Sequence, residues 1–206
     1  MRDQTIGEFL EELSARVPAP GGGASAALHA AQGASLVAMV ARYTTGERYA
    51  AHAAAVGRIA AAADELRETA LRLGAEDATA FTAVTDAYRL PKGTDEEKTA
   101  RSAAVAAALE GAARPPAEVV GVAERVVALA EELLPICNRN VLSDVAAATE
   151  AARAAAGTAR VNIEINLGGI KDGTVRAGFS ATAGAAGPLM DRADRVTAAV
   201  RREIAR

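Results

Sequence analysis

From Val17 to Ala41 the chain reads VPAPGGGASAALHAAQGASLVAMVA, a run without formal charge that ends at Arg42. Pro18 and Pro20 hold φ at about −65° and keep the residues before them extended, while Gly21, Gly22 and Gly23 open conformations closed to other residues. The segment behind them is rich in Ala, Ser and Leu and contains no proline, so a turn should lead into a helix that begins between Gly22 and Ser25. Side chains this small let neighbouring helices approach closely, which favours a buried position. The first turn of such a helix presents unpaired N–H groups at the positive end of the dipole, a setting that suits a carboxylate, a phosphate or a developing negative charge. The glycines lack the GxxxxGK[ST] pattern and follow no strand pattern, so a nucleotide-binding loop is not supported. Length and lack of charge fit a membrane span, but Ala and Gly outnumber Leu, Ile and Phe, and His29 and Gln32 interrupt the run. Glu8, Glu11 and Glu12 stand where a signal peptide carries positive charge. Neither membrane insertion nor export is expected.

The chain of 206 residues is long enough to bury a proper core, and a single domain over 1–206 is the natural reading. Half of the residues are hydrophobic while aromatics make up 3%, so alanine supplies most of the apolar surface. That composition points to an all-α protein, with helices packed at short distance and self-association adding burial. A net charge of −3 gives no electrostatic case for nucleic acid. The one cysteine, Cys137, excludes an internal disulfide and fits a reducing cytoplasm, and with two histidines far apart no metal site is expected.

Along the chain, Thr5 and Glu8 have capping-box spacing, and Ile6, Phe9, Leu10 and Leu13 share a face, so residues 3–16 should form a first helix lying on the core as a short lid. The second helix follows the glycines to about Thr44. One long helix is expected over 47–88, bent at Gly74. Pro91 and Gly93 break it, and Thr94 with Glu97 starts another helix over 95–112 that Pro115 and Pro116 end. A further helix runs to about Leu134, and an alanine-rich one starts near Ser143. The segment RVNIEINL at 160–167 alternates like a β-strand but has nothing to pair with, so it is read as helical. Residues 168–187 form the loosest region, and a terminal amphipathic helix covers 188–205. The whole is an up-and-down bundle with one long helix.

Polar residues set among apolar ones are the candidates for chemistry. Asp77 stands four residues from Phe81, near the apolar face of its helix; a solvated or paired carboxylate is the plain alternative. Asp144 begins a helix, where capping is a sufficient account, yet Asn138 and Asn140 gather donors and acceptors beside it. Asn162 and Asn166 share a helical face. Lys92 and Arg139 are cations suited to a carboxylate-bearing ligand, with solvation as the default for each.

Six stretches, PAPGGGASAALHAA at 18–31, MVARYTTGERY at 39–49, EDATAFTAV at 76–84, LPKGTDEEKTAR at 90–101, NRNVLSD at 138–144 and VNIEINLGGIKD at 161–172, follow one another as in the cyclodeaminase/cyclohydrolase family, which the chain resembles. This family comprises the C-terminal domain of formiminotransferase-cyclodeaminase and stand-alone methenyltetrahydrofolate cyclohydrolases. The chain departs from the family's pattern at Ala24, where members usually have Ser directly after the third glycine, at Arg42-Tyr43-Thr44, where Asn-Leu-Thr is common, and at Cys137, where Gly is common. The resemblance implies a helical homodimer and a folate cleft near the glycine turn and the subunit interface. A tetrahydrofolate derivative is the substrate and no cofactor is permanently bound. The expected activity is hydration of 5,10-methenyltetrahydrofolate to formyltetrahydrofolate. The alternatives are formiminotetrahydrofolate cyclodeaminase activity with ammonia release, a non-catalytic folate-binding dimer, and hydrolysis of a non-folate amidine. Asp77 and Asp144 are the expected acid/base carboxylates. Pro20, Gly21, Gly22, Gly23 and Ser25 should hold the ligand at the turn, Asn138, Asn140, Asn162 and Asn166 orient it, and Lys92 or Arg139 meet its glutamate tail.

Overall fold

The structure is a computed structural model that describes residues 3–206. Six α-helices make up the architecture: α1 (Ile6–Ser14), α2 (Gly22–Tyr43), α3 (Ala53–Arg89), α4 (Asp95–Leu133), α5 (Leu142–Leu167) and α6 (Gly173–Ile204). Short 3₁₀ turns at Glu47–His52 and Arg139–Val141 precede α3 and α5, and no strand occurs among the described residues. The alternating segment 160–167 lies within α5, as expected of a lone strand-like pattern without a partner.

At the centre, α2 packs against α3, α4 and α5, and α6 closes the bundle against α4 and α5. By length and composition α2 could cross a membrane, yet in this fold more than half of it is buried inside the bundle. Its buried residues are Ala, Gly and Val only. Where α2 meets α5, a Cβ on Gly33 would come within 2.9 Å of the Ala148 carbonyl oxygen, so the two backbones approach as closely as glycine allows. Each small residue buries little area, and cohesion comes from many close contacts.

Local signals set the helix starts. Thr5 with Glu8 and Thr94 with Glu97 both form complete capping boxes. Three expectations need correction. Pro115 and Pro116 do not end a helix: α4 runs through both, and both are buried between Ala113 and Val119, so apolar packing offsets the hydrogen bonds that prolines cannot donate. The loose region at 168–187 is mostly the first half of α6. Asp172 caps it by accepting from the Thr174 and Val175 N–H groups at 2.8 and 3.0 Å, and a buried stripe of Ala183, Ala186, Leu189, Ala193, Val196 and Val200 carries the helix across Pro188. There are accordingly three helices longer than 30 residues, not one. Finally, α1 is no lid on the core, because only Phe9 is buried while Ile6 and Leu10 remain 75% and 53% exposed.

The register of α2 and α5 gives the bundle two distinct ends, about 30 Å apart along α2. At one end Asn162 lies beside Gly22. At the other, the Asn138 side chain donates to the Tyr43 carbonyl at 2.8 Å, and its backbone N–H donates to Thr44 Oγ1 at 3.1 Å. At the glycine end α3 continues for about 18 Å past Asp77. It turns at 90–94 and returns as α4, forming a hairpin in which only Val84 and Ala87 are buried before Ala112 is reached.

Candidate active site

Gly21 starts α2 with no side chain able to cap it. The cap comes instead from another helix. A Cβ built on Gly23 would lie 1.9 Å from Asp77 Oδ1, so the carboxylate rests directly on the first turn of α2, where the Ala24 N–H is directed at it. Partial burial pushes the Asp77 pKa up from the ordinary carboxylate value, and the hydrogen bond from Ala24 opposes that shift without cancelling it. The anion expected at this turn is therefore the protein's own carboxylate. A ligand anion placed there would meet like charge, so the turn serves first to hold Asp77.

Around this carboxylate lies a cleft of about 440 Å³ bounded by Ala19, Gly21, Gly22 and Gly23 of the turn, and by Asn162 and Asn166 from α5. The Asn162 amide N–H₂ donates to the Thr158 carbonyl at 2.8 Å, and that of Asn166 donates to the Asn162 carbonyl at 2.8 Å. Both side chains are thereby fixed against their own helix, with their Oδ1 atoms left as acceptors. The remaining wall is apolar: Phe81, Val84 and Tyr88 from α3, Leu109 and Ala112 from α4, and Ile165 from α5. Ile165 is 79% exposed and Tyr88 51% exposed, a large apolar face for residues beside a polar pocket. The spacing Phe81, Val84, Tyr88 was available as a signal, since the chain has only three Phe and three Tyr.

The other expected residues lie elsewhere within one chain. Pro20 faces a shallow depression shared with Phe9 and Gly74 on the other side of the turn. Ser25 donates its backbone N–H to the Gly21 carbonyl at 3.0 Å and does not line the cleft. Lys92 is exposed in the link between α3 and α4. Asn138, Arg139, Asn140 and Asp144 all sit at the opposite end of the bundle, because α5 runs antiparallel to α2 and Asp144 is about 27 Å from Asn162 along it. There the Asn138 Oδ1 accepts from the Asn140 N–H at 3.0 Å, and Arg139 pairs with Glu203 at 3.3 Å. Asn138 thus ties the C-terminal end of α2 to the start of α5, and within one chain Arg139 lies at the end of the bundle away from the Asp77 cleft. Among the described residues no group of His, Cys, Asp and Glu is arranged to hold a metal.

A half-buried carboxyl on a helix N-terminus, flanked by fixed amide acceptors and apolar walls, is equipped to take a proton from water and return it to a leaving nitrogen. The model of the formiminotransferase-cyclodeaminase family matches residues 5–184, nearly the whole chain. The chain belongs to this family. Its sequence is 39% identical over 171 residues to the methenyltetrahydrofolate cyclohydrolase of Methylorubrum extorquens, covering 82% of each chain. It is also 34% identical over 175 residues to the formimidoyltransferase-cyclodeaminase of Mus musculus, covering 82% of this chain and 32% of that longer protein. Among solved structures, a formiminotetrahydrofolate cyclodeaminase from Thermotoga maritima superposes with a TM-score of 0.87 at 26% identity, covering 100% of this chain and 99% of the other. The family match spans the glycine turn, Asp77 and both asparagines of the cleft.

Proposed function

We propose that the protein is a methenyltetrahydrofolate cyclohydrolase, converting 5,10-methenyltetrahydrofolate and water to formyltetrahydrofolate with Asp77 as the acid/base group. The observation that carries this reading is the half-buried Asp77 carboxyl, seated on the glycine turn and facing Asn162 within an apolar cleft. The Asp77 carboxylate takes a proton from water as the oxygen bonds to the amidinium carbon. It then gives that proton to one ring nitrogen as the C–N bond breaks, and the remaining hydroxyl proton departs to solvent as the formyl C=O forms. The Oδ1 atoms of Asn162 and Asn166 accept hydrogen bonds from the pterin or the adduct, while Phe81, Val84, Leu109 and Ile165 offer apolar walls for its rings. The folate is substrate, and the step needs no resident cofactor.

The homodimer belongs to this reading. A shallow apolar surface formed by Leu28, Leu36, Leu71 and Ala151, with Gln32 and Ser35 among them, crosses α2, α3 and α5 and suits a second copy. Asp144 has a catalytic part only if that second chain brings it to the cleft. A reducing cytoplasm suits the buried free thiol of Cys137.

The test is ultraviolet detection of methenyltetrahydrofolate loss by wild type, Asp77→Asn and Asp144→Asn. Asp77→Asn is expected to lower kcat by about 10²–10⁴-fold; wild-type turnover by that variant would refute the assignment. Cyclodeaminase activity is the second reading, favoured by the likeness to the Thermotoga maritima structure across the entire chain. Ammonia release from formiminotetrahydrofolate distinguishes it. Folate binding without turnover of either substrate would leave the non-catalytic dimer.

A further inference from the structure

We infer that Phe9 is a positioning residue for Asp77: from α1 it backs the glycine turn and keeps the Ala24 N–H directed at the Asp77 carboxyl. This inference rests on the cyclohydrolase reading above. Phe9 is the one buried side chain of α1, 4% exposed, and it stands apart from the continuous core of the bundle. It borders a depression of about 200 Å³ whose other walls include Ala19 and Pro20 of the turn, Ala24 of α2, and Gly74 and Ala78 of α3. Those walls carry both partners of the contact on which the site depends. Ala24 supplies the N–H, while Gly74 and Ala78 flank Asp77 on α3, three residues before it and one after. Ala19 also borders the cleft, so the arm joining α1 to α2 is the partition between Phe9 and the reacting atoms.

The need for such a group follows from the turn itself. Gly21, Gly22 and Gly23 carry no side chains that could brace the start of α2, and Gly21 gives it no cap. Gly23 and Asp77 meet so closely that a Cβ would lie 1.9 Å from Oδ1, so a small displacement of the turn relative to α3 changes what surrounds the carboxyl. An aromatic ring packed behind that joint resists the displacement, because close-packed interiors transmit small shifts. The rest of α1 adds little packing, since Ile6 is 75% exposed and Leu10 53% exposed. What α1 supplies is a fixed origin for the ring. Its start is closed by the capping box of Thr5 and Glu8, and the Gln4 amide donates to Glu12 at 2.7 Å across the helix.

The experiment measures kcat and KM on methenyltetrahydrofolate, with urea denaturation of each protein, for wild type, Phe9→Ala, Phe9→Leu and the exposed-face control Ile6→Ala. It repeats Phe9→Ala in the Asp77→Asn background with enzyme in excess over substrate. Phe9→Ala is expected to lower kcat about 10–100-fold, the loss that a shift of about 1 Å at a reacting group brings, with KM within about two-fold because the apolar walls of the cleft are untouched. Phe9→Leu, which refills much of the space, should return kcat to within about three-fold of wild type. Ile6→Ala should match wild type. In the Asp77→Asn background Phe9→Ala should change the rate by less than about two-fold, since a group that acts through Asp77 has nothing left to position. Wild-type kcat in a folded Phe9→Ala overturns the inference, and so does an equal fall in both backgrounds, which would mark a general loss of structure. Should Phe9→Ala not fold, Phe9→Val reads the same comparison. If wild type turns over no methenyltetrahydrofolate, the cyclohydrolase reading fails and the inference with it; wild-type turnover that Phe9 does not affect refutes the inference alone.

Discussion

Gly23→Ala separates a turn that merely bends the chain from one that holds a catalytic group. At an ordinary helix position this change adds about 1 kcal/mol of helix propensity. Here the new Cβ would lie 1.9 Å from Asp77 Oδ1, 2.3 Å from its Cγ and 2.5 Å from Oδ2. Ordinary contact begins at 3.4 Å, so the carboxyl group must retreat by about 1.5 Å, away from the Ala24 N–H and from the place a water would occupy beside Asn162. A misplacement of that order costs about 10²-fold in rate, and forcing an extra methyl into the contact costs about 1–3 kcal/mol. Two neighbours serve as controls. A Cβ on Gly21 meets nothing within 4 Å, and one on Gly22 meets the Asn162 side chain, nearest at Nδ2 at 3.1 Å. The assay is kcat on methenyltetrahydrofolate for the three alanine variants, with urea denaturation of each. The expected order is a loss of about 100-fold for Gly23→Ala, little change for Gly21→Ala and an intermediate effect for Gly22→Ala. If Gly23→Ala keeps wild-type kcat while remaining folded, Asp77 does not act from the position it occupies here.

Three further outcomes follow from the same contacts. Because the folded pKa of Asp77 is raised, the folded state holds its proton more tightly than the unfolded chain, so this group's contribution to stability falls as pH rises from the ordinary carboxylate range through the raised value. Asp77→Asn should therefore be more stable than wild type at neutral pH, with the advantage disappearing in acid, as thermal melts across pH would record; in wild type kcat/KM should fall on the acid side above the usual carboxylate range, since the ionised form takes the proton from water. Asn138→Ala removes the side-chain bonds joining Tyr43 and Asn140, and should cost about 1–3 kcal/mol in chemical denaturation while leaving kcat within about two-fold of wild type. Gly169→Ala should push the flexible end of Leu109 toward the cleft, raising KM more than it lowers stability.

How far the sequence could carry the fold depended on the range of each interaction. Thr5 with Glu8 and Thr94 with Glu97 are legible because a capping box is complete within four residues. The reading failed at Pro115, Pro116 and Pro188, where a strong local preference for ending a helix competes with burial that only the assembled bundle supplies. Periodicity held the better information there, since the stripe from Ala183 to Val200 continues across Pro188 without a change of phase. The outcome at α1 is the reverse case. Its amphipathic pattern is clear, but periodicity specifies a face and not what covers it, and within one chain Ile6 and Leu10 stay exposed.

The site divides along the same line. Asp77, the glycines and the two asparagines could each be picked out as polar or permissive positions among apolar helices, but their meeting depends on the register of α2, α3 and α5. That register also separates them from Asn138, Arg139, Asn140 and Asp144, an equally polar cluster whose members lie close in sequence. Both clusters contain a carboxylate at a helix start, and the difference between them is the neighbour. Asp144 lies within the first turn of its own helix and can be understood from local sequence. Asp77 reaches the first turn of a helix more than fifty residues away and is partly desolvated there, so its ionisation responds to tertiary packing. A carboxyl whose proton affinity is set by packing can accept a proton and release it within one reaction cycle. The glycine turn thus acts on the chemistry through Asp77, by lacking the side chains that would keep that carboxyl away.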